Sequence, residues 1–218
     1  MRRFLPSLAV FALALIAVPA LPAQAASSRS HSFTDKGLGA EALWSTFPAR
    51  GGPTPGVIYT DTYINATQEA VAADGTTYAD NFVYLDEFRY EFNSKGRFIF
   101  VSDTFGSASG SNVTLSVSRK LDTATAGAKV RLRTCDQTGC SRAGTTTLFA
   151  SWTGVGAKAL ENGTFVFHTK GLTEVSHQHG FFRDATATAT VANLQHLGHF
   201  AFGDIFNVQF KDVCIGSC

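Results

Sequence analysis

Alternation of apolar and polar residues with a period of two dominates the chain from Val57 onward. In the segment 113–118, valine and leucine alternate with threonine and serine, and in the segment 129–134, Val130 and Leu132 alternate with basic residues. Successive side chains of a strand point to opposite faces of a sheet. The pattern therefore predicts strands with one buried and one solvated face.

Clusters of glycine, asparagine, aspartate and serine separate the β-branched and aromatic segments at intervals of roughly 8–12 residues, as in all-β domains. The one window with helical tendency, Ala66 to Ala73, ends at Asp74-Gly75 and has extended flanks, so strand is the alternative there. The alternation predicts strands over residues 57–64, 97–104, 113–117, 129–134, 145–152, 164–169, 172–179, 185–191 and 198–210. Residues 76–92 are expected to form one long strand or two strands separated at a bulge.

Many strands without intervening helices predict an all-β protein with almost no helix, built as an antiparallel β-sandwich. A closed β-barrel is the alternative, because both architectures produce the same pattern. We expect a single domain over residues 57–218. Residues 26–56, which are polar at first and rich in proline and glycine after Phe47, are expected to form an irregular N-terminal arm.

The first 25 residues have the organisation of a secretory signal peptide. Arg2 and Arg3 precede an apolar run from Leu8 to Val18, and Ala23-Gln24-Ala25 offers small residues for cleavage. The run is shorter than the roughly 20 apolar residues that span a membrane. We therefore expect cleavage before Ala26, no membrane insertion of the mature chain, and a secreted protein, extracellular or periplasmic. The alanine-rich leader is typical of bacteria.

Loss of Arg2 and Arg3 with the leader changes the formal net charge from +1 to −1. A chain so close to neutrality, without runs of like charge, is poorly suited to neutralise phosphates, so nucleic acid is not an expected partner. Three glycosylation sequons begin at Asn65, Asn112 and Asn162. In a bacterial protein they are expected to be incidental.

All four cysteines follow the leader, as Cys135 with Cys140 and Cys214 with Cys218. An even count in an oxidising compartment indicates disulfides. The short turn-like segments within each couple favour local pairing, although three connectivities are possible. Each short loop contributes about 2 kcal/mol to stability, so these bridges would hold a hairpin end and the C-terminus rather than the fold.

The histidines are the most concentrated candidate ligands. His177 and His179 are two apart and would project from one face of a strand, as two ligands of zinc or copper must. His196 and His199, three apart at a turn, could add further nitrogens. The spacing lacks a defining context, and hydrogen-bonded or exposed histidines at strand ends are the alternative.

Carboxylates crowd the first third of the mature chain, and a glycosidase needs two of them facing each other. Asp86 and Glu87 point to opposite faces of a strand, so a dyad would need a residue from a neighbouring strand. The sequence shows no such partner. It also lacks a nucleophile elbow and a phosphate-binding glycine loop.

The aromatic residues are mostly phenylalanine, which in alternating positions serves a core. We expect Phe98, Phe100, Phe165 and Phe167 to be buried in this way. An exposed stacking patch would instead draw on the tyrosines and tryptophans, which are Trp44, Tyr59, Tyr63, Tyr78, Tyr84, Tyr90 and Trp152.

Taken together, these patterns predict a secreted β-sandwich that acts as a non-enzymatic binding or surface-interaction module on an extracellular ligand or a cell-surface component. An exported hydrolase or a metal-dependent enzyme using the histidines is one alternative. A structural, envelope-associated protein is another. No cofactor is expected unless the histidines bind zinc or copper.

Overall fold

The computed structural model describes residues 30–73, 76–169, 172–192 and 197–216. These ranges contain ten strands and one 3-10 turn, Gly110–Asn112. The strands are β1 (Ser30–Ser45), β2 (Tyr59–Ala73), β3 (Thr76–Phe92), β4 (Phe98–Ser109), β5 (Val113–Val117), β6 (Thr123–Asp136), β7 (Gly139–Gly154), β8 (Ala159–Thr169), β9 (Leu172–Val191) and β10 (His199–Gly216). The predicted all-β, antiparallel class is confirmed. None of the helical structure described is long and apolar enough to cross a membrane.

The strands form one antiparallel sheet in the order β10-β1-β2-β3-β4-β6-β7-β9, with β8 added to β9 and β5 added to β6. β9 also pairs with β10, the first strand of this order, so the hydrogen-bonded order of strands closes on itself. The length of β9 makes this closure possible. Its residues 172–184 pair with β10, and its residues 185–191 pair with β7.

The core lies between β1, β2 and β3 on one side and β5, β6 and β7 on the other. Trp152 of β7 is 1% exposed, and its Nε1 donates a hydrogen bond of 2.9 Å to the main-chain oxygen of Glu41 in β1. Ala40 and Ala42 of β1 are fully buried. Small residues on one strand thus leave room for the large indole that reaches across from the other.

The irregular arm predicted over residues 26–56 contains β1, a strand that pairs with β10 on one edge and with β2 on the other. Its glycines and alanines have weak strand preference, which hid it in the sequence. Neighbouring strands require these small residues. A Cβ at Gly39 would overlap the main-chain oxygen of Ala66 in β2.

Two further segments differ from the expected pattern. The window from Ala66 to Ala73 is strand, the alternative left open for it, because it pairs along its length with β1 and β3. The segments 172–179 and 185–191 are one continuous strand. Gly180 lies between them, and Val208 of β10 packs against it.

Aromatic side chains are distributed differently from the prediction. Phe98, Phe165 and Phe167, expected in the core, are more than half exposed. Phe98 stacks on an aromatic cluster at the β2–β3–β4 end of the sheet, in which Tyr59 and Tyr90 are buried. The tryptophans Trp44 and Trp152 are core residues, and Tyr63 and Tyr84 are partly buried, so of these candidates only Tyr78 is exposed.

One predicted disulfide is present. Cys135 and Cys140 are directly opposite each other in the β6–β7 hairpin, with their Cα atoms 4.0 Å apart. Cys214 is disulfide-bonded as well. Cys218, its predicted partner, lies outside the described residues, so that pairing stays a prediction.

Removing the hairpin bridge with Cys135→Ser and Cys140→Ser together should lower the free energy of unfolding by about 2 kcal/mol, because closing so short a loop restricts the unfolded chain only slightly. Urea denaturation of the variant and the parent measures the difference. A loss of more than about 4 kcal/mol, the value expected for a loop of ~100 residues, would contradict a purely local role.

Candidate functional site

Of the candidate metal ligands that the structure describes, His177 and His179 do not converge with His199. His177 and His179 lie exposed on one face of β9, as predicted, and each hydrogen-bonds to the β8 residue directly opposite it. The ring Nδ1 of His177 is 3.1 Å from Thr164 Oγ1, and that of His179 is 2.5 Å from Asn162 Oδ1.

The second histidine pair lies elsewhere. His199 begins β10 opposite Ser45, whereas His179 is paired with Gln209, further along the same strand. Ten residues of strand separate the two positions by roughly 30 Å. His196 lies outside the described residues, and within the ranges that are described no three His, Cys, Asp or Glu side chains are arranged to hold a metal ion. Zinc or copper binding stays a prediction.

The most exposed apolar surface lies on the β8–β9 hairpin. Phe165 and Phe167 project from one face of β8 with 61% and 57% of their surface exposed. Val166 and Leu160 project from the other face with 54% and 51% exposed, and Phe181 of β9 lies directly opposite Leu160. We call these five side chains the β8–β9 apolar surface. Their exposure on both faces means that no other described element covers this hairpin.

The strand that carries most of this surface is also an edge. Within the described part of the chain β8 pairs only with β9, so its outer main-chain groups have no strand beside them. Natural edge strands are commonly protected by lysine, proline or inward charges. Residues 162–167 of β8 contain none of these. Lys158, which precedes β8, lies 4.7 Å above the ring of Phe181.

A second cluster combines carboxylates and tyrosines on the sheet face opposite the core. Asp86 of β3 and Asp103 of β4 lie on this face, with one buried carboxylate oxygen of each lacking a hydrogen-bond donor. The two carboxyl groups are within hydrogen-bonding reach of each other. The Tyr84 hydroxyl donates to Asp86 over 3.4 Å, and the Tyr63 hydroxyl donates to Glu41.

A β-bulge creates this carboxylate pair. The β3–β4 register shifts between Arg89 and Tyr90, so that Asp103 lies opposite Phe88. Without the extra residue, Asp103 would lie opposite Glu87 and point to the other face. The bulge thus supplies Asp86 with the neighbouring-strand partner that the sequence did not show.

Burial in this cluster favours neutral carboxyl groups. Burial, a hydrogen bond that protonated Asp86 donates to Asp103, and the negative charge of Asp103 raise the pKa of Asp86 to about 7. The proton on Asp86 is thus the donor that the Asp103 carboxylate accepts. On the same face, burial and the negative charges of Glu41 and Asp184 raise the pKa of Asp204 to about 6.

Asp86 should make the protein less stable as the pH rises. Its pKa is 3.8 in the unfolded chain and about 7 in the folded one, so the folded state holds the extra proton between about pH 4 and pH 7. Stability therefore falls through that window and is constant above it. Asp86→Asn should raise the free energy of unfolding by about 1–2 kcal/mol at pH 8, after allowance for solvent screening of a partly exposed group.

Thermal unfolding of Asp86→Asn and of the parent between pH 4 and pH 8 measures this effect. Asp80→Asn, at an exposed position, is the control and should retain the fall in stability that Asp86 causes between about pH 4 and pH 7. Equal slopes for Asp86→Asn and the parent would show that the pair does not hold the proton.

An open depression of about 420 Å³ lies where β2 and β3 meet the 3-10 turn. Its polar lining comes from Gln68, Asp80, Asn81 and Ser111. Asp80 Oδ1 already accepts the Asn81 main-chain NH at 2.8 Å. One carboxylate without a nearby base or nucleophile does not make a catalytic set.

Comparison of the chain with protein-family models, curated proteins and solved structures finds no match. The alternating pattern of the sequence indicated the histidine pair and Asp86 as candidates but did not indicate the β8–β9 apolar surface. The sequence offered one sign of this surface, the absence of charged residues over 162–167, because exposed edge strands normally carry charged residues that prevent pairing with another chain.

Proposed function

We propose that the protein is a secreted, non-enzymatic interaction module that contacts an extracellular or cell-surface partner through the β8–β9 apolar surface. The observation that carries this proposal is the exposure of Phe165, Phe167, Val166 and Leu160 on a strand that is a sheet edge within the described residues. An edge of this kind, with large apolar side chains exposed on both faces, offers unpaired main-chain groups and apolar area to another chain.

Secretion is supported by the leader-like first 25 residues and by the disulfide between Cys135 and Cys140, a bond that persists in oxidising compartments. Bacterial origin is supported by the composition of the leader alone. The structural, envelope-associated role differs from the proposed one only in the identity of the partner, and the same surface would serve it.

The hydrolase alternative has less support. Asp86 and Asp103 are close enough to share a proton, whereas glycosidase carboxyl groups stand at least about 5 Å apart to accommodate a sugar and a nucleophile. The metal-dependent alternative would need His177 and His179 to recruit a further ligand. Both alternatives stay predictions, and so does the possible zinc or copper cofactor.

Photocrosslinking in culture tests the proposal. Phe165→p-benzoylphenylalanine places a photoreactive ring on the β8–β9 apolar surface, and Phe149→p-benzoylphenylalanine places it on β7 at a residue that is 57% exposed. After irradiation of the secreting culture, position 165 should give a discrete adduct on a denaturing gel and position 149 should not. No adduct at position 165, or the same smear from both positions, would reject the proposal.

A further inference from the structure

We infer that the partner of the β8–β9 apolar surface is a second copy of this chain, bound by antiparallel pairing of β8 with β8 about a two-fold axis. This inference rests on the proposed function, because it names the occupant of the same surface.

The edge geometry allows a symmetric contact. The outer edge of β8 is unpaired within the described residues, and an edge strand offers a ladder of NH and C=O groups to another chain. A two-fold axis perpendicular to the sheet places β8 antiparallel to its own copy. Such an isologous contact closes at two chains and leaves no further β8 edge exposed.

The register follows from the side chains. A two-fold axis perpendicular to the sheet keeps each face of the hairpin on the same side of the extended sheet. Odd-numbered residues of β8 therefore lie opposite odd-numbered residues of the partner, and even-numbered residues opposite even-numbered ones. With Val166 on the axis, Phe165 faces the partner's Phe167 on one side of the extended sheet. The same register sets Thr164 opposite the partner's His168. The largest exposed rings then meet each other in two symmetric pairs.

The area is sufficient for a weak dimer. An aromatic side chain buries about 150–250 Å² when fully enclosed, so the exposed parts of Phe165, Val166 and Phe167, which meet in this register, amount to on the order of 600 Å² over two copies. A specific interface needs about 1,000 Å², and the paired backbones supply the remainder. The uncharged stretch 162–167 brings no like charges together. These quantities indicate a dimer with a micromolar dissociation constant.

Sedimentation of the chain purified from culture medium is the first test. The chain should be a dimer at about 200 µM and dissociate in the low micromolar range. Phe165→Ser with Phe167→Ser should raise the dissociation constant at least tenfold, while Phe149→Ser, at an equally exposed ring outside the hairpin, should leave it unchanged. A monomer at about 200 µM, or a dimer indifferent to the double substitution, would overturn the inference.

Cysteine crosslinking tests the register independently of affinity. A residue on the axis lies directly opposite its own copy, with the two Cβ atoms about 4.5–5.5 Å apart, near the distance that a disulfide requires. Val166→Cys should therefore form an interchain disulfide on mild oxidation. Leu160→Cys has the same face and nearly the same exposure but lies off the axis, and it should remain monomeric on a non-reducing gel. Equal crosslinking of both variants would reject this pairing.

The failures can be told apart. If the purified chain is monomeric while position 165 photocrosslinks to a different protein in culture, the second-copy inference is wrong and the proposed function stands. If position 165 gives no adduct at all, both are wrong. An adduct with twice the mass of the chain supports both.

Discussion

Trp152→Ala is expected to lower the free energy of unfolding by about 3–5 kcal/mol, the range found when a large buried aromatic is truncated. The indole is 1% exposed, and it spans the core from β7 to the main-chain oxygen of Glu41 in β1. Its removal leaves a cavity that the surrounding alanines are too small to fill. Chemical denaturation followed by circular dichroism measures the loss.

Two control variants separate the effect of the lost side-chain volume from that of the lost hydrogen bond and from that of the position of the ring. Trp152→Phe keeps most of the volume and removes the Nε1 donor, so it should cost about 1–3 kcal/mol. Phe149→Ala changes an exposed ring on the same strand and should cost less than about 0.5 kcal/mol. If Trp152→Ala cost no more than Phe149→Ala, the core would not lie where we place it.

Gly106→Ala is expected to cost about 3 kcal/mol, at the upper end of the penalty for overpacking. Gly106 lies on the core face of β4, opposite Leu132 of β6. A Cβ there would overlap the main-chain oxygen of Arg131 and lie 2.9 Å from Val130 Cγ1. Backbone cannot move aside as a flexible side chain can, so β4 and β6 must separate at one of only six residue pairs that join them.

Gly52→Ala is the matched control, because a Cβ at that exposed glycine would meet nothing within 4 Å. It should leave stability unchanged or raise it slightly by restricting the unfolded chain. Thermal unfolding of the two variants beside the parent measures the contrast. A Gly106→Ala protein as stable as Gly52→Ala would show that β4 and β6 are not so closely apposed.

The strands that local pattern predicts well are those rich in β-branched and aromatic residues. Residues 76–92 and 113–117 have the predicted bounds in the structure, since their side chains alternate clearly between two environments. β1 was not predicted, because its Gly39, Ala40 and Ala42 give no strand pattern. These residues are small because side chains and backbone of other strands pack closely against them. Packing against strands that are distant along the chain cannot be predicted from the local sequence.

The candidate site was less predictable than the fold, because it depends on which faces are covered. Alternation shows that Phe165 and Phe167 share a face, but only the pairing order shows that β8 is an edge with none of the other described elements over it. The Asp86–Asp103 pair depends on a bulge at Tyr90. Strands were predicted on both sides of this pairing, over residues 76–92 and 97–104, but the register between them was not.

Photocrosslinking from position 165 is the most direct test of the account, whose central claim is that the β8–β9 apolar surface binds a partner. We predict one discrete adduct from the secreted chain with Phe165→p-benzoylphenylalanine and none with Phe149→p-benzoylphenylalanine. Absence of an adduct at position 165, with the variant folded and secreted normally, would contradict that claim.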